Sequence, residues 1–320
     1  MADHIKLLAT IPEIYAGKRL DIAVAKLFKE YSRERLKSWI LSGECLINGE
    51  KRQPKEKVLG GESIELQASI ITATIWQPEK IALDVVYEDD DIIVVNKPIN
   101  CVVHPGNGNS SKTLVNALLY YAPELKLIPR AGIVHRLDKD TSGLMVVART
   151  LTAHNSLINQ LQKKTVNRSY EAVIWGVITA GGTIDAPIAR HPRDRIKMAL
   201  VESGKPAVTH YRVLTRFRGH THIKLQLETG RTHQIRVHMA SIKHYIIGDQ
   251  TYGGRLRLPK NASPALVDTL RDFPRQALHS KILGLIHPVT HEAMQWEVPL
   301  PADLQQLLTC LQEDLNYNKP

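Results

Sequence analysis

Leu20, Val24, Leu27 and Phe28 recur at helical spacing near the start of the chain, and Leu36, Trp39 and Ile40 do so again after Ser32, which the pattern places as a helix N-cap. The period then changes. "CLIN" runs into the turn "NGEK", and "SIEL" alternates after Gly60-Gly61, so a small sheet is expected to back the two helices. Arg33, Arg35 and Lys37 are expected to line an exposed face of the second helix. From Gln67 to Lys80 the chain reads as extended, and Pro78 among charged residues marks a boundary. Beyond it, "DVVYEDDDIIVVNKP" gives two strands around an acidic turn, and "GLMVVA", "YEAVIWG", "YRVLTRF" and "HIKLQLE" give further strands. "TLVNALLYYA", "LTAHNSLINQLQKK" and "TLRDF" read as helices. Strands dominate and helices interrupt them, which predicts a mixed α+β sheet rather than a regular βαβ array. The chain shows no internal repeat and no low-complexity tract.

A length of 320 residues exceeds that of one small domain, so two domains are expected. The balance of 42 Lys+Arg against 32 Asp+Glu gives a formal charge of +10 and favours a polyanionic partner, with nucleic acid ahead of an anionic membrane. Cys45, Cys101 and Cys310 lie far apart with no C-x-x-C pair, so neither a disulfide framework nor a zinc knuckle is signalled and the chain reads as cytoplasmic. No run approaches the ~18 apolar residues of a membrane span, and the first residues mix charge into a short apolar stretch, so a soluble, non-exported protein is expected.

Several familiar motifs come close and fail. "GNGNSSKT" imitates a phosphate-binding loop, but Ser111 stands where a second glycine must let the backbone wrap the phosphates, and the preceding "VVHP" ends in proline. "DKDTSG" offers Asp138, Asp140, Ser142 and Gly143 in the order of a calcium loop, but Arg149 occupies the position of the closing glutamate. His233, His238 and His244 lack the paired spacing and the acid of a helical zinc site, so no metal is expected. "HRLDKDTSG" then has to be read on its own terms. Asp138 lies between Arg136 and Lys139, upstream of the buried run "LMVVA", which suits a carboxylate nucleophile or electrostatic stabiliser, although the triplet R-L-D taken alone favours a structural ion pair and a second motif has to decide. In "LETGRTHQIRVHMA", Ile235, Met239 and Ile242 begin a helix after an alternating strand, so Arg231 and Arg236 fall at a strand-to-helix junction. Two arginines there can hold a carboxylate or clamp a phosphate. Tyr170, in "NRSYEAVIWG", enters a buried strand behind Arg168.

Taken together, "HRLDKDTSGL", "RSYEAVIWG", "LETGRTHQIRVHMA", "GDQTYGG" and "RQALHS" resemble, in order, the RluA-type family of pseudouridine synthases, and the basic segment from Gly17 to Leu66 resembles the S4 RNA-binding domain. The resemblance implies an N-terminal extension at 1–16, an S4-like domain at 17–76, and at 77–320 a catalytic domain with a mixed, mainly antiparallel sheet and flanking helices. It further implies isomerisation of uridine to pseudouridine in a stem-loop of large-subunit ribosomal RNA or a pre-ribosomal particle, by a monomer that needs no cofactor and no membrane. By the same resemblance Asp138 is the catalytic aspartate, Arg236 its partner, and Arg136 the residue that fills the gap left by the flipped uridine. Tyr170 becomes the tyrosine that stacks on the base and a candidate proton acceptor. Arg33, Arg35, Lys37, Arg231 and, in "RHPRDRIK", Arg193 and Arg195 are expected RNA contacts, with Arg216 and Arg218 among the backbone-binding cations. The chain departs from the family pattern at Tyr245, where proline is usual, at Ser111, where glycine is frequent, and at Asn100. Two rivals stay open: an rRNA-binding assembly factor on an idle scaffold, and the same isomerase acting on another rRNA site or on tRNA.

Overall fold

The chain divides into two compact units, Met1–Ile75, built on one hydrophobic cluster, and Trp76–Pro320, which holds a large cluster and two smaller ones. The structure, a computed structural model, describes residues 3–28, 31, 33–70, 76–106, 109–194 and 196–317; Ser32 and Arg195 therefore lie outside the described residues.

The smaller unit runs β1 (Asp3–Thr10), α1 (Leu20–Leu27), α2 (Arg33–Ser42), β2 (Cys45–Ile47) and β3 (Ser63–Ile70), with antiparallel sheet order β1-β3-β2. Of the residues with helical periodicity, Leu20, Val24, Phe28, Leu36, Trp39 and Ile40 are buried in its core, and Leu27 packs against it half-buried. β1 lies inside the stretch 1–16 that the sequence reading set apart, and it pairs with β3 along its whole length. Its Ile5, Leu7 and Ala9 alternate but are only half-buried, so the strand is defined by its partner more than by its own pattern. The expected basic face of α2 is corrected. Arg35 lies on the opposite side of the helix from Arg33 and Lys37; Arg33 is exposed while Arg35 and Lys37 are half-buried, and the Arg35 guanidinium lies 6.0 Å from the Trp39 ring. Arg33 and Arg19 both donate to the buried Asp21 carboxylate, at 2.9 and 3.0 Å, which ties α2 to α1.

The larger unit opens with β4 (Val85–Glu88), β5 (Ile92–Lys97), α3 (Leu114–Tyr121), β6 (Ser142–Ala148), α4 (Leu151–Gln162) and β7 (Asn167–Trp175). It continues through β8 (Gly182–Asp185), β9 (Ile188–Arg190), β10 (Met198–Leu200), β11 (Val208–Arg216), β12 (His220–Leu227) and α5 (Gln234–Ser241). α6 (Pro264–Asp272), β13 (Leu278–Ile286), β14 (Ala293–Glu297) and α7 (Ala302–Tyr317) complete it. A nine-stranded sheet has the order β4-β5-β6-β13-β7-β12-β11-β8, with β14 also paired to β13. Every ladder is antiparallel except β6 with β13, so the sheet is mixed and mainly antiparallel. β9 and β10 form a separate hairpin.

β6 is buried at every position because both sheet faces are covered. Its Met145 and Val147 belong to the cluster that also takes in apolar residues of α3, α5, α6 and α7, while Leu144, Val146 and Ala148 share a second cluster with Ala153 and Leu157 of α4. Each aliphatic side chain of that size contributes roughly 1.5–3 kcal/mol on burial. Gly143 makes the parallel junction possible: its φ is +113°, and a Cβ there would collide with the backbone of Ser280, its partner on β13. Among the described residues no helix is long and apolar enough to cross a membrane.

Candidate active site

The loop from Asp138 to Thr141 joins the chain to β6, and two neighbouring elements hold it. From the end of β5, the buried Lys97 donates its three protons to the carbonyls of Pro98, Cys101 and Lys139, at 2.7, 3.0 and 3.0 Å. Burial pushes its ammonium down to about 8, with Cys101, Asp140 and Asp138 acting against the shift. From the approach to β13, Arg275 Nη1 donates to the Asp140 carbonyl at 3.3 Å while its Nε and Nη2 grip Asp303 at 2.7 and 2.8 Å. Gln276 Nε2 donates to Thr141 Oγ1 at 3.0 Å, and Ser142 Oγ bonds His279 Nδ1 at 2.9 Å. "RQALHS" is thus the back wall of the aspartate loop.

Asp138 projects into a cleft of about 540 Å³, a size that accommodates a nucleotide. Its Oδ2 accepts from Arg236 Nη1 at 3.0 Å. The rest of the Arg236 fork is taken bidentately by Asp249, at 2.7 and 2.8 Å, and Asp249 Oδ1 also accepts the amides of Thr251 and Tyr252. Burial works against the Arg236 charge, but the hydrogen bonds and charges of Asp249 and Asp138 outweigh it and raise its pKa. One guanidinium therefore lies locked between two carboxylates.

α5 is short and buried, and its start is fixed by Gln234. The Gln234 amide accepts from Thr229 Oγ1 and the Arg231 N–H, and donates to Val208 O and Thr209 Oγ1. His233, at the N-cap, adopts a left-handed backbone with φ of 56°, a conformation that costs a non-glycine residue on the order of 1–3 kcal/mol and is found at functional sites. Its Nε2 lies 3.9 Å from Asp138 Oδ1, and its Nδ1 is 2.8 Å from the Tyr252 hydroxyl. The Met198 amide donates to that hydroxyl at 2.8 Å, so the phenolic proton is directed to Nδ1, which leaves Nε2 as the protonated nitrogen facing the aspartate. Burial pushes His233 below the usual histidine range, with Asp138 opposing and Arg236 adding to the shift.

Tyr170 lies on β7 between Leu225 of β12 and Ser280 of β13, and lines the cleft as a phenol whose pKa burial has raised. Arg136 is exposed at the cleft, and Arg231 also lines it, with Nε on the Pro206 carbonyl at 3.1 Å. Arg168 is the less expected neighbour. It is 4% exposed, its Nη2 donates to the Glu228 carbonyl at 3.2 Å, and its Nε has no partner. Burial depresses its pKa, Tyr170 opposing and Arg231 adding, and no carboxylate among the described residues pairs with it. Gly230 leaves room for this arginine: a Cβ there would sit 2.7 Å from Arg168 Nη1, so the guanidinium would have to shift.

The cleft brings together Asp138, Tyr170, Arg236, Arg136 and Arg231. Arg193 is exposed on the loop between β9 and β10 and does not line the cleft. Arg216 and Arg218 are not free for RNA: Arg216 donates to the carbonyls of Ile178 and Thr179, and Arg218 to those of Asn261 and Lys260 and to Asp314. Asp249, His233, Tyr252 and Arg168 were not assigned from sequence. Asp249 and Tyr252 stand inside the quoted "GDQTYGG", but nothing in one sequence connects them to Arg236 and His233. Arg168 did carry a signal, a cation at the start of a buried strand. Among the described residues Asp89, Asp91 and His287 could converge on a cation. His287 Nδ1 accepts the amides of Val289 and Thr290, so its Nε2 is the N–H donated to Asp89 at 3.0 Å, and the cluster is closed on itself.

Residues 91–241 match the RNA pseudouridylate synthase family and residues 18–64 match the S4 domain. The chain is 53% identical over 320 residues to ribosomal large subunit pseudouridine synthase D of Escherichia coli K12, covering 100% of this chain and 98% of that protein. It is 54% identical over 322 residues to the protein of the same name from Pasteurella multocida, covering 98% and 99%. Among solved structures, human RNA pseudouridylate synthase domain containing 4 is similar at 26% identity with a TM-score of 0.56, covering 72% of this chain and 93% of that one.

Proposed function

The chain belongs to the RNA pseudouridylate synthase family, and we propose that it converts uridines of a large-subunit ribosomal RNA stem-loop to pseudouridine with Asp138 as the catalytic carboxylate. The reaction breaks the C1′–N1 bond, turns the base and forms C1′–C5; the proton lost from C5 is matched by one gained at N1, so nothing is added and no energy donor is consumed. The observation that carries the residue assignment is the Asp138 carboxylate facing a nucleotide-sized cleft while Arg236, itself clamped by Asp249, holds it at 3.0 Å. A carboxylate fixed in advance needs no reorganisation as charge develops on the sugar, whether it attacks C1′ or assists loss of the 2′ proton.

A base inside a stem cannot reach the cleft, so the uridine is extruded at a cost of a few kcal/mol. Exposed Arg136 at the cleft mouth fills the vacated place, and Tyr170 offers its ring to the flipped base. With its pKa raised by burial, Tyr170 stays protonated at neutral pH and takes the C5 proton only through a transient phenolate or a relay. Arg168, buried without an anion, is suited to receive the phosphate of the flipped nucleotide. The S4 domain, with Arg33, Arg35 and Lys37, and the exposed Arg193 supply contacts that position the stem-loop; the protein acts as a monomer in the cytoplasm.

Pseudouridine mapping of large-subunit rRNA treated with wild-type protein and with Asp138→Asn tests this reading. Wild type is expected to introduce pseudouridine without added metal or nucleotide, and Asp138→Asn to bind the RNA and leave it unmodified. Modification by the variant would sink the assignment of Asp138, and binding without modification by either protein would favour an assembly factor.

A further inference from the structure

A second cavity, of about 210 Å³, is lined by residues from the end of β7, the segment after α5 and the end of α6. Trp175, Tyr245 and Phe273 supply flat aromatic surface, and Arg255, Arg257 and Arg271 stand around it. The guanidinium of Arg257 lies 5.4 Å from the centre of the Tyr245 ring, a cation–aromatic stack with the geometry that also accepts a nucleobase. Arg255 and Arg257 are exposed, and in "RLRL" they alternate with Leu256 and Leu258, which are 50% and 40% exposed, so the rim offers charge and apolar surface together. The one acid of the lining is Asp249, whose oxygens are committed to Arg236 and to the amides of Thr251 and Tyr252. Asp268, outside the lining, lies 3.6 Å from Arg271, and no acid of the lining offsets Arg255 and Arg257.

A cavity the size of one base, with aromatic walls and, in Arg255 and Arg257, two exposed rim cations, has the chemistry of single-strand RNA recognition, in which stacking accepts any base and arginines meet the backbone. We propose that it binds an unpaired nucleotide of the RNA substrate, distinct from the uridine that enters the Asp138 cleft, with the base against Tyr245 and Trp175 and its phosphates on Arg255 and Arg257. The inference rests on the reading of the chain as an enzyme acting on RNA. Asp249 borders both cavities, so a nucleotide held here fixes the substrate strand relative to the catalytic carboxylate and acts on KM rather than on kcat.

Titration of the full-length protein with hexauridylate, following tryptophan fluorescence, tests the cavity without catalysis. Quenching is expected in wild type and absent in Trp175→Phe, which assigns the signal among the four tryptophans. Tyr245→Ala is expected to weaken binding about tenfold. Arg255→Gln with Arg257→Gln, a pair of exposed positions whose replacement leaves the core untouched, lowers the slope of log affinity against log salt by about 0.7 per lost phosphate contact. On a stem-loop with single-stranded flanks, the same variants raise KM and leave kcat unchanged. Quenching that persists in Trp175→Phe, or wild-type binding and KM in both the tyrosine and the arginine variants, would overturn the proposal. If those variants match a wild type that forms pseudouridine, the isomerase reading stands and only the cavity falls; if wild type forms none, that reading falls and the quenching still decides the cavity.

Discussion

Arg168 and Arg236 are both buried guanidinium groups, yet Arg236 has two carboxylates and Arg168 has only a carbonyl. An unpaired buried charge lowers stability, so the Arg168 site is strained in the absence of RNA. Arg168→Gln is expected to raise KM for RNA roughly tenfold, about 1.4 kcal/mol, while leaving the melting temperature unchanged or higher. Steady-state kinetics on a stem-loop together with thermal denaturation check both signs; a lower melting temperature with unchanged KM would make the residue structural. Asp249 acts one step further back. Asp249→Asn keeps the shape but weakens the grip on Arg236, and a small displacement of Asp138 is expected to cost about 100-fold in kcat with little change in KM. Equal losses in kcat for Asp249→Asn and in RNA affinity would instead mean that the fold around α5 had collapsed.

At the scale of elements, the junction of β6 with β13 is the most sensitive point. Gly143→Ala places a methyl group against the Ser280 backbone and is expected to cost several kcal/mol, enough to lower soluble yield, and urea denaturation of whatever folds measures it. The same junction explains what the sequence could reveal. β5, β6, β7 and β12 were legible because they bury continuous or alternating apolar runs, and α3 and α4 because their apolar stripes follow a capping threonine. β8, β9 and β10 have three or four residues each and exist by virtue of their partners. β13 hid because His279, Ser280 and Lys281 and a register shift between Ser280 and Ile282 break its period. α7 carries Leu304, Leu307 and Leu311 at helical spacing, a signal that the sequence reading passes over. In the site, the Asp138 and Arg236 motifs stood out by their density of charge. Asp249, His233 and Tyr252 did not, because their roles come from hydrogen bonds between segments that no local pattern links.

For the whole molecule, burial has concentrated the histidine-linked acid sensitivity in the larger unit. His220 and His279, both fully buried in the larger unit, are pushed down to about 4 by burial, with Asp314 opposing at His220 and Arg275 adding at His279. Between pH 6.5 and 4 the unfolded chain takes up protons at these residues and the folded chain does not, so the contribution to stability is present above about 6.5 and is lost as pH falls towards 4. Between pH 7 and 5 this amounts to on the order of 2 kcal/mol for each histidine. The smaller unit has one histidine, His4. Urea unfolding at the two pH values, followed by Trp39 in one unit and Trp175 in the other, is expected to show a large shift of midpoint for Trp175 alone.

The back wall of the Asp138 loop has a consequence in time. Arg275, Gln276 and His279, which hold Asp140, Thr141 and Ser142, follow them in the chain by 135 to 137 residues, and β13 then inserts between β6 and β7 in the middle of the sheet. As the polypeptide is made from its N-terminus, the aspartate, its strand and most of its partners emerge first and wait with the centre of the sheet unfilled. Until the segment around residue 280 has left the ribosome, the nascent chain is expected to be catalytically silent, because the wall that holds the aspartate loop has not yet been made.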